Sequence, residues 1–208
     1  MNNKEKLMFA SDIHGDAVCA EKMLCAFRRE GADKLILLGD LLYHGPRNDL
    51  PAGYDPKRTI ALLNENKDSL LCVRGNCEAE VDAMVLDFPV MAEYAALFLC
   101  GVTCYVTHGH HIGEGNADTL PAGTVLINGH THVYAARELT CGVLYLNPGS
   151  VSLPKENKER SYMIYEDGVF TIKSLESGES LLSADFSIQE LMICSTPNLS
   201  YRSLNGSS

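Results

Sequence analysis

The sequence predicts an α/β protein built as two facing β-sheets flanked by helices. Three observations lead there. Apolar strands alternate with helices through roughly the first two-thirds of the chain, the texture turns to strands alone from about residue 94, and polar residues gather where the apolar runs stop. A sheet from the second half has to cover its apolar face, and the sheet from the first half is the surface available to it.

The elements follow in order. "KLMFAS" reads as a buried strand, and residues 16–29 place Val18, Met23, Leu24 and Phe27 near helical spacing before Gly31 ends the run. "DKLILLGD" is the second buried strand. "YDPKRTIALLNEN" opens a helix with Asp55 as its cap and Pro56 at the first helical position. "SLLCV" is the third strand, with a short helix expected near "EAEVDAMVLD". Then come "YAALFL", "VTCYVT", "TVLIN", "VYAARE" and "VLYLN", and last "SYMIYEDGVFTIKSL", where Asp167-Gly168 between two alternating runs signals a hairpin. The expected organisation is one domain over 1–187 and a Ser- and Asn-rich tail outside the core over 188–208.

Composition narrows the function classes. At 208 residues with 46% hydrophobic side chains the chain can bury one substantial core. No apolar run reaches the roughly 18–20 residues of a membrane span, and "MNNKEKLMFASD" meets an aspartate too early for a signal peptide, so a cytoplasmic protein is expected. A net charge of -10 disfavours duplex nucleic acid while leaving room for a small anion in a local site. The eight cysteines contain no C-x-x-C pair and read as reduced, small hydrophobes.

The residues that interrupt the strands are metal-ligand types. They are Asp12 and His14 in "SDIHG", Asp40 in "LGDLL", Asn76 and Cys77 in "RGNCE", His108 and His110 in "VTHGHH", and His130 and His132 in "NGHTHV"; six of the seven histidines fall in these segments. On extended backbone, residues two apart share a side, so Asp12 with His14 and His130 with His132 can each face one point. Two carboxylates, one amide oxygen and four imidazoles are too many for one tetrahedral ion and suit two ions that share a ligand, for which Asp40 is the natural bridge. Mixed nitrogen and oxygen donors point to Mn²⁺, Fe or Zn²⁺ ahead of Ca²⁺ and Mg²⁺.

The order D-x-H, G-D, G-N-C, H-G-H, G-H-T-H resembles the calcineurin-like metallophosphoesterases. "HGPRN", "VRGNC" and "NPGSVSLPK" resemble their small bacterial phosphodiesterase branch, the YfcE type, over about residues 6–185. The resemblance implies a four-layer αββα sandwich. It also implies two divalent metal ions, Mn²⁺ foremost with Zn²⁺ or Fe as alternatives, one held by Asp12, His14, Asp40 and His132 and the other by Asp40, Asn76, His108 and His130. The activity implied is hydrolysis of small phosphodiesters by a hydroxide that the two ions activate. A phosphomonoesterase, or a non-catalytic protein-binding scaffold like the retromer subunit of the same fold, are the alternatives. Relatives also suggest a homo-oligomer.

Charge explains why Asn76 suits such a site. Two divalent ions carry +4, Asp12 and Asp40 supply -2 and a hydroxide -1, and the remaining +1 matches a phosphodiester monoanion. Cys77 stands where many relatives have a histidine that assists the departing oxygen. A thiol is a weak hydrogen-bond donor, so leaving groups that need little protonation, such as aryl or nucleotide-like ones, are expected. A thiolate ligand, a nucleophile paired with His44, His110 or His111, and a merely structural cysteine are the other roles open to it. Arg74 and Arg47 are candidate phosphate guides, since guanidinium can grip two phosphate oxygens, and His110 is a candidate substrate contact. Arg74, Asp40, Asn76 and Cys77 form the expected catalytic set. The loops 43–57 and 110–122 are expected to wall the pocket.

Overall fold

The structure, a computed structural model, describes residues 5–185. The expected tail over 188–208 and the expected domain end at 187 lie outside the described residues. Among the described residues eleven strands form two mixed sheets. The first contains β1 (Lys6–Ala10), β2 (Lys34–Leu37), β3 (Leu70–Cys72), β9 (Ser161–Glu166), β10 (Val169–Ser174) and β11 (Ser180–Asp185), in the order β11-β10-β9-β1-β2-β3. The second contains β4 (Tyr94–Leu99), β5 (Val102–Thr107), β6 (Val125–Ile127), β7 (Ala135–Glu138) and β8 (Leu144–Asn147), in the order β4-β5-β6-β8-β7.

Parallel pairing of β1 with β2 and β2 with β3, and of β5 with β6 and β6 with β8, sends the carboxyl ends of these strands to one edge of the sandwich. Ligands favour that edge in α/β sheets.

Strands β1, β2 and β9 of the first sheet are apolar on both faces because both are covered. Leu7 and Phe9 of β1, Ile36 of β2 and Met163 of β9 join Val106, Val125, Ile127 and Leu146 between the sheets. Their alternates Met8, Ala10, Leu35 and Leu37 pack instead against helices. Phe9 is fully buried between the sheets, and Phe9→Ala there would cost about 3–5 kcal/mol. Helix α1 (Ala17–Glu30) lays Ala20, Met23, Leu24 and Phe27 on that outer face. Asp16 caps it by accepting from the Cys19 N–H at 2.9 Å, and Gly31 closes it in left-handed backbone at φ 65°. Val18 departs from the expected stripe, since it is exposed while Cys19 and Ala20 turn inward. Helix α2 (Pro56–Glu65) starts at Pro56, with Asp55 accepting from the Arg58 N–H at 3.0 Å.

The second sheet has a thinner outer cover. Leu126, Tyr145 and Ala135 pack against Ala117 of the 3-10 segment Glu114–Thr119, which supplies the outer layer on this side. Three local differences from the sequence reading have physical causes. The helix expected near residues 78–87 is only the 3-10 turn Asp82–Met84, because Glu78 is drawn into the interior by backbone N–H groups instead of facing solvent on a helix. Strand β11 was not expected; its pattern of exposure has little apolar signal, and pairing with β10 holds it. The loop 110–122 does not wall the pocket described below, since its 3-10 segment faces the second sheet. The hairpin at Asp167-Gly168 has φ values of 53° and 85°, the left-handed pair that a tight two-residue turn requires.

Candidate metal centre

The ends of five strands, β1, β2, β3, β5 and β6, bring Asp12, His14, Asp40, Asn76, His108, His130 and His132 together at the shared edge. They do not do so on extended backbone. Asp12, His14, Asp40, His130 and His132 all have positive φ, between 51° and 67°. Each pincer is therefore formed by left-handed turns that swing successive side chains inward, where plain strand alternation had been expected. Non-glycine residues in this region are strained, and such strain concentrates at functional sites.

Asp40 stands at the middle. Its Oδ2 lies 3.7 Å from His14 Nε2 and its Oδ1 lies 3.5 Å from His108 Nε2, so its two oxygens face two different imidazoles. On one side, Asp12 Oδ1 is 3.6 Å from His14 Nε2 and 3.3 Å from His132 Nε2, and those two ring nitrogens are 3.2 Å apart. On the other side, His108 Nε2 is 3.1 Å from Asn76 Oδ1 and 3.2 Å from His130 Nδ1.

Hydrogen-bond roles decide what these nests can hold. His14 Nδ1 lies 2.8 Å from the Tyr43 carbonyl, His108 Nδ1 2.7 Å from that of Leu38, and His132 Nδ1 2.6 Å from that of Leu153. A carbonyl can only accept, so each Nδ1 carries the proton and each neutral ring turns an Nε2 lone pair inward. Around Asp12 that leaves two lone pairs and a carboxylate oxygen facing one another, and Asp12 Oδ1 is buried with no hydrogen-bond partner among the described residues. Acceptors crowded without a donor repel unless a cation sits among them, so these residues fit a divalent ion. Without one, protons take up the charge. Burial disfavours the His108 imidazolium, but Asp40 and Asp12 outweigh it and push the ring up to about 9. Burial likewise opposes ionisation of Asp12, yet His132 and His14 hold its carboxyl well below the usual range.

The supporting shell contains residues the sequence reading did not single out. Glu78, almost fully buried, accepts from the backbone N–H groups of Asp40 at 2.9 Å, Leu41 at 2.7 Å and Gly75 at 2.5 Å, pinning the Asp40 turn to the Asn76 turn. That approach needs glycine: a Cβ on Gly39 would meet Gly75 N at 2.4 Å, and one on Gly75 would meet Asp40 Oδ1 at 2.2 Å. Ser150 and Ser152 both donate to the Asp12 carbonyl, at 2.9 and 2.8 Å, so the "NPGSVSLPK" segment buttresses the Asp12 turn from behind. The only hint of Glu78 in the sequence was its place two residues after Asn76.

A cavity of about 400 Å³ opens above this edge, lined in part by Asp40, Asn76, Cys77, His130, His132 and Arg47. Cys77 donates its N–H to Asp40 Oδ1 at 2.9 Å, and its thiol receives a contact from Asn76 Nδ2 at 3.3 Å. Burial, then the charge of Asp40, pushes that thiol up. Lys155 and Thr131 also line the cavity and were missed. Arg74 does not line it: its guanidinium pairs with Glu93 at 3.1 Å, turned away by a carboxylate partner that the sequence gave no means of matching to it. His110 is not at the cavity wall either, but packs between the rings of His108 and His111, at 5.4 and 3.9 Å between centroids.

A two-sheet α/β sandwich whose parallel strand ends gather carboxylates, imidazoles and an amide around cation-sized nests belongs to the class of metal-binding hydrolase folds. Comparison with known proteins narrows the class. The model of the calcineurin-like phosphoesterase superfamily domain matches residues 6–167. The chain is 44% identical to Phosphodiesterase YfcE of Escherichia coli K12 over 170 residues, which is 82% of this chain and 92% of that protein. The solved structure of the E. coli phosphoesterase Yfce matches with a TM-score of 0.83 and 40% identity, over 88% of this chain and 100% of that one. Vacuolar Protein Sorting 29 from Cryptosporidium parvum, at 16% identity, TM-score 0.60, and coverage of 88% and 98%, shares the fold. The chain belongs to the calcineurin-like phosphoesterase superfamily, and is accordingly a phosphoesterase of a family that uses divalent metal ions.

Proposed function

We propose that this chain hydrolyses small phosphodiesters at a dinuclear metal centre, with Asp12, His14, Asp40 and His132 holding one ion and Asp40, Asn76, His108 and His130 the other. The observation that carries the reading is Asp40, whose two oxygens face His14 and His108 on opposite sides. When bound, the ions would supply Lewis-acid polarisation of phosphoryl oxygens and an activated water at neutral pH. Mixed nitrogen and oxygen donors favour Mn²⁺, with Zn²⁺ or Fe as competitors.

The chain's own residues supply the rest. The carbonyl-anchored Nδ1 atoms of His14, His108 and His132 fix which nitrogen faces inward. Asn76 gives an oxygen without charge, leaving the edge attractive to a monoanion. Arg47 lines the cavity and adds positive charge for an anionic substrate. Cys77, a weak donor at the cavity wall, suits leaving oxygens that depart without a proton, so aryl and nucleotide-like esters are the favoured class. In the reaction an oxygen from water bonds to phosphorus and gives up a proton to solvent, the bond from phosphorus to the leaving oxygen breaks with its electron pair, and that oxygen takes a proton from solvent.

A cytoplasmic setting accords with the buried free thiols of Cys19, Cys72 and Cys104. No helix among the described residues is long and apolar enough to cross a membrane, and the net charge of -10 argues against duplex nucleic acid as substrate. The test is elemental analysis of the purified protein together with turnover of bis(4-nitrophenyl) phosphate and 4-nitrophenyl phosphate, with and without Mn²⁺. Two ions per chain and faster diester turnover are expected. Diester turnover that survives complete chelation would overturn the metal reading, and faster monoester turnover would overturn the diester one.

A further inference from the structure

Eight of the fifteen lysines and arginines of the described residues are paired with acids. Lys6 and Lys173 meet Glu30, Lys22 and Arg160 meet Glu176, Arg58 meets Glu21, Lys67 meets Asp87, Arg74 meets Glu93, and Arg137 meets Glu114. Arg47 and Lys155 are not among those eight, and what sets them apart from the other unpaired cations is their place. Neither side chain has a hydrogen-bond or ion-pair partner among the described residues, and both line the cavity over Asn76, His130 and His132. In a chain of net charge -10, two unmatched cations at one mouth make a local reversal of sign.

Both cations stand on loops tied to the site. The Lys155 N–H donates to the His132 carbonyl at 3.2 Å, while Leu153, two residues earlier, accepts from His132 Nδ1. Asn48 Nδ2 donates to the His44 carbonyl at 2.9 Å and closes the turn that carries Arg47. The cavity of about 400 Å³ has room for about a dozen waters, more than one phosphoryl group needs. Asp40 is its one acidic lining residue, and that carboxylate is already counted in the charge of the metal edge. Since the metal edge balances on a diester monoanion, the two positive charges of Arg47 and Lys155 are surplus, and a phosphomonoester group of about -1.5 to -2 at pH 7 matches them.

We propose that the preferred substrates are phosphodiesters bearing a second phosphate, with the scissile group at Asn76, His130 and His132 and the second phosphate between Arg47 and Lys155. The proposal rests on the hydrolase reading above and names its substrate class. The probes are thymidine 5′-(4-nitrophenyl phosphate) and the same ester phosphorylated at the 3′ oxygen, assayed by release of 4-nitrophenol from the metal-loaded protein. The 3′-phosphorylated ester is expected to have about tenfold higher kcat/KM, carried by KM. Lys155→Gln should bring that ratio towards one, and Lys155→Arg should keep it. Calorimetry supplies a readout that needs no turnover: thymidine 3′,5′-bisphosphate should bind about tenfold tighter than thymidine 5′-phosphate, and Lys155→Gln should remove the difference. Equal affinities in the parent protein, or a ratio untouched by Lys155→Gln, would overturn the two-phosphate pocket. Failure to hydrolyse either ester would overturn the hydrolase reading instead, with the calorimetric ratio still deciding the pocket.

Discussion

The two halves of the candidate centre are built differently. Asp12, His14 and His132 are buried, both rings are fastened through Nδ1 to backbone carbonyls, and the Asp12 turn is braced by Ser150 and Ser152. Across Asp40, His108 is equally buried and fastened, but Asn76 is exposed, its amide hydrogen-bonding, among the described residues, to the Cys77 thiol and His108, and His130 is half-buried. Donors that are already oriented lose little freedom on capturing an ion, so the inner half is suited to hold one firmly. The outer half faces the cavity and can adjust as substrate arrives.

The largest test of this contrast removes what the halves share. Asp40→Asn should strip ions from both sides and lower kcat by at least about a thousandfold, measured by elemental analysis and diester turnover. Retention of two ions at normal affinity would break the shared-ligand view. Glu78→Gln comes next, since it leaves every proposed ligand in place while weakening the clamp between the Asp40 and Gly75 turns. A loss of about 10–100-fold in metal affinity is expected by competition with a chelator, falling on both ions because Asp40 serves both.

Asn76→Asp probes the outer half alone. An added carboxylate there should tighten the second ion but raise KM for a diester monoanion by about tenfold, because the net attraction is cancelled. Unchanged KM with unchanged metal content would remove the charge argument. Cys77→His should act further out, raising turnover of alkyl diesters relative to aryl diesters by about tenfold or more through protonation of the leaving oxygen. An unmoved ratio would assign Cys77 a packing role.

The smallest effect belongs far from the site and serves as a control. Burial opposes ionisation of Glu30, but Lys173 and Tyr162 outweigh it and hold its carboxyl below the ordinary range. A depressed folded-state value means that this stabilisation is present above the unfolded value of about 4.3 and is lost as pH falls through the folded one. Glu30→Gln should therefore flatten the acid limb of stability, followed by denaturant melts at several pH values, while metal content stays constant.

Much of the fold was legible because β1, β2, β5 and the Asp167-Gly168 hairpin announce themselves locally, through unbroken apolar runs or a turn pair with one conformation open to it. The fold class and family follow from those runs and from the ordered motifs at their ends. Strand β11 was not legible, since Ser180–Asp185 takes its conformation from pairing with β10 and not from a pattern of its own. The gathering of seven donor residues was legible as a set, whereas the left-handed turns that aim them were not, because Asp and His enter that region in only a minority of their occurrences and nothing in these motifs marks which. Glu78, Arg74 and Lys155 mark the same boundary. Whether a charged side chain is drawn inward, matched to an acid or left alone at a cavity mouth depends on neighbours distant along the chain, Asp40, Glu93 and His132 in these cases.

The five left-handed turns set a limit on how far this protein can be improved. Glycine would relax the backbone at Asp12, His14, Asp40, His130 or His132 by roughly 1 kcal/mol apiece, and each such change would discard a donor. At these positions, robustness and chemistry pull in opposite directions. A search for hardier variants will therefore find its gains in the helices and outer loops, and any that arise in these turns will be gains of durability bought with silence.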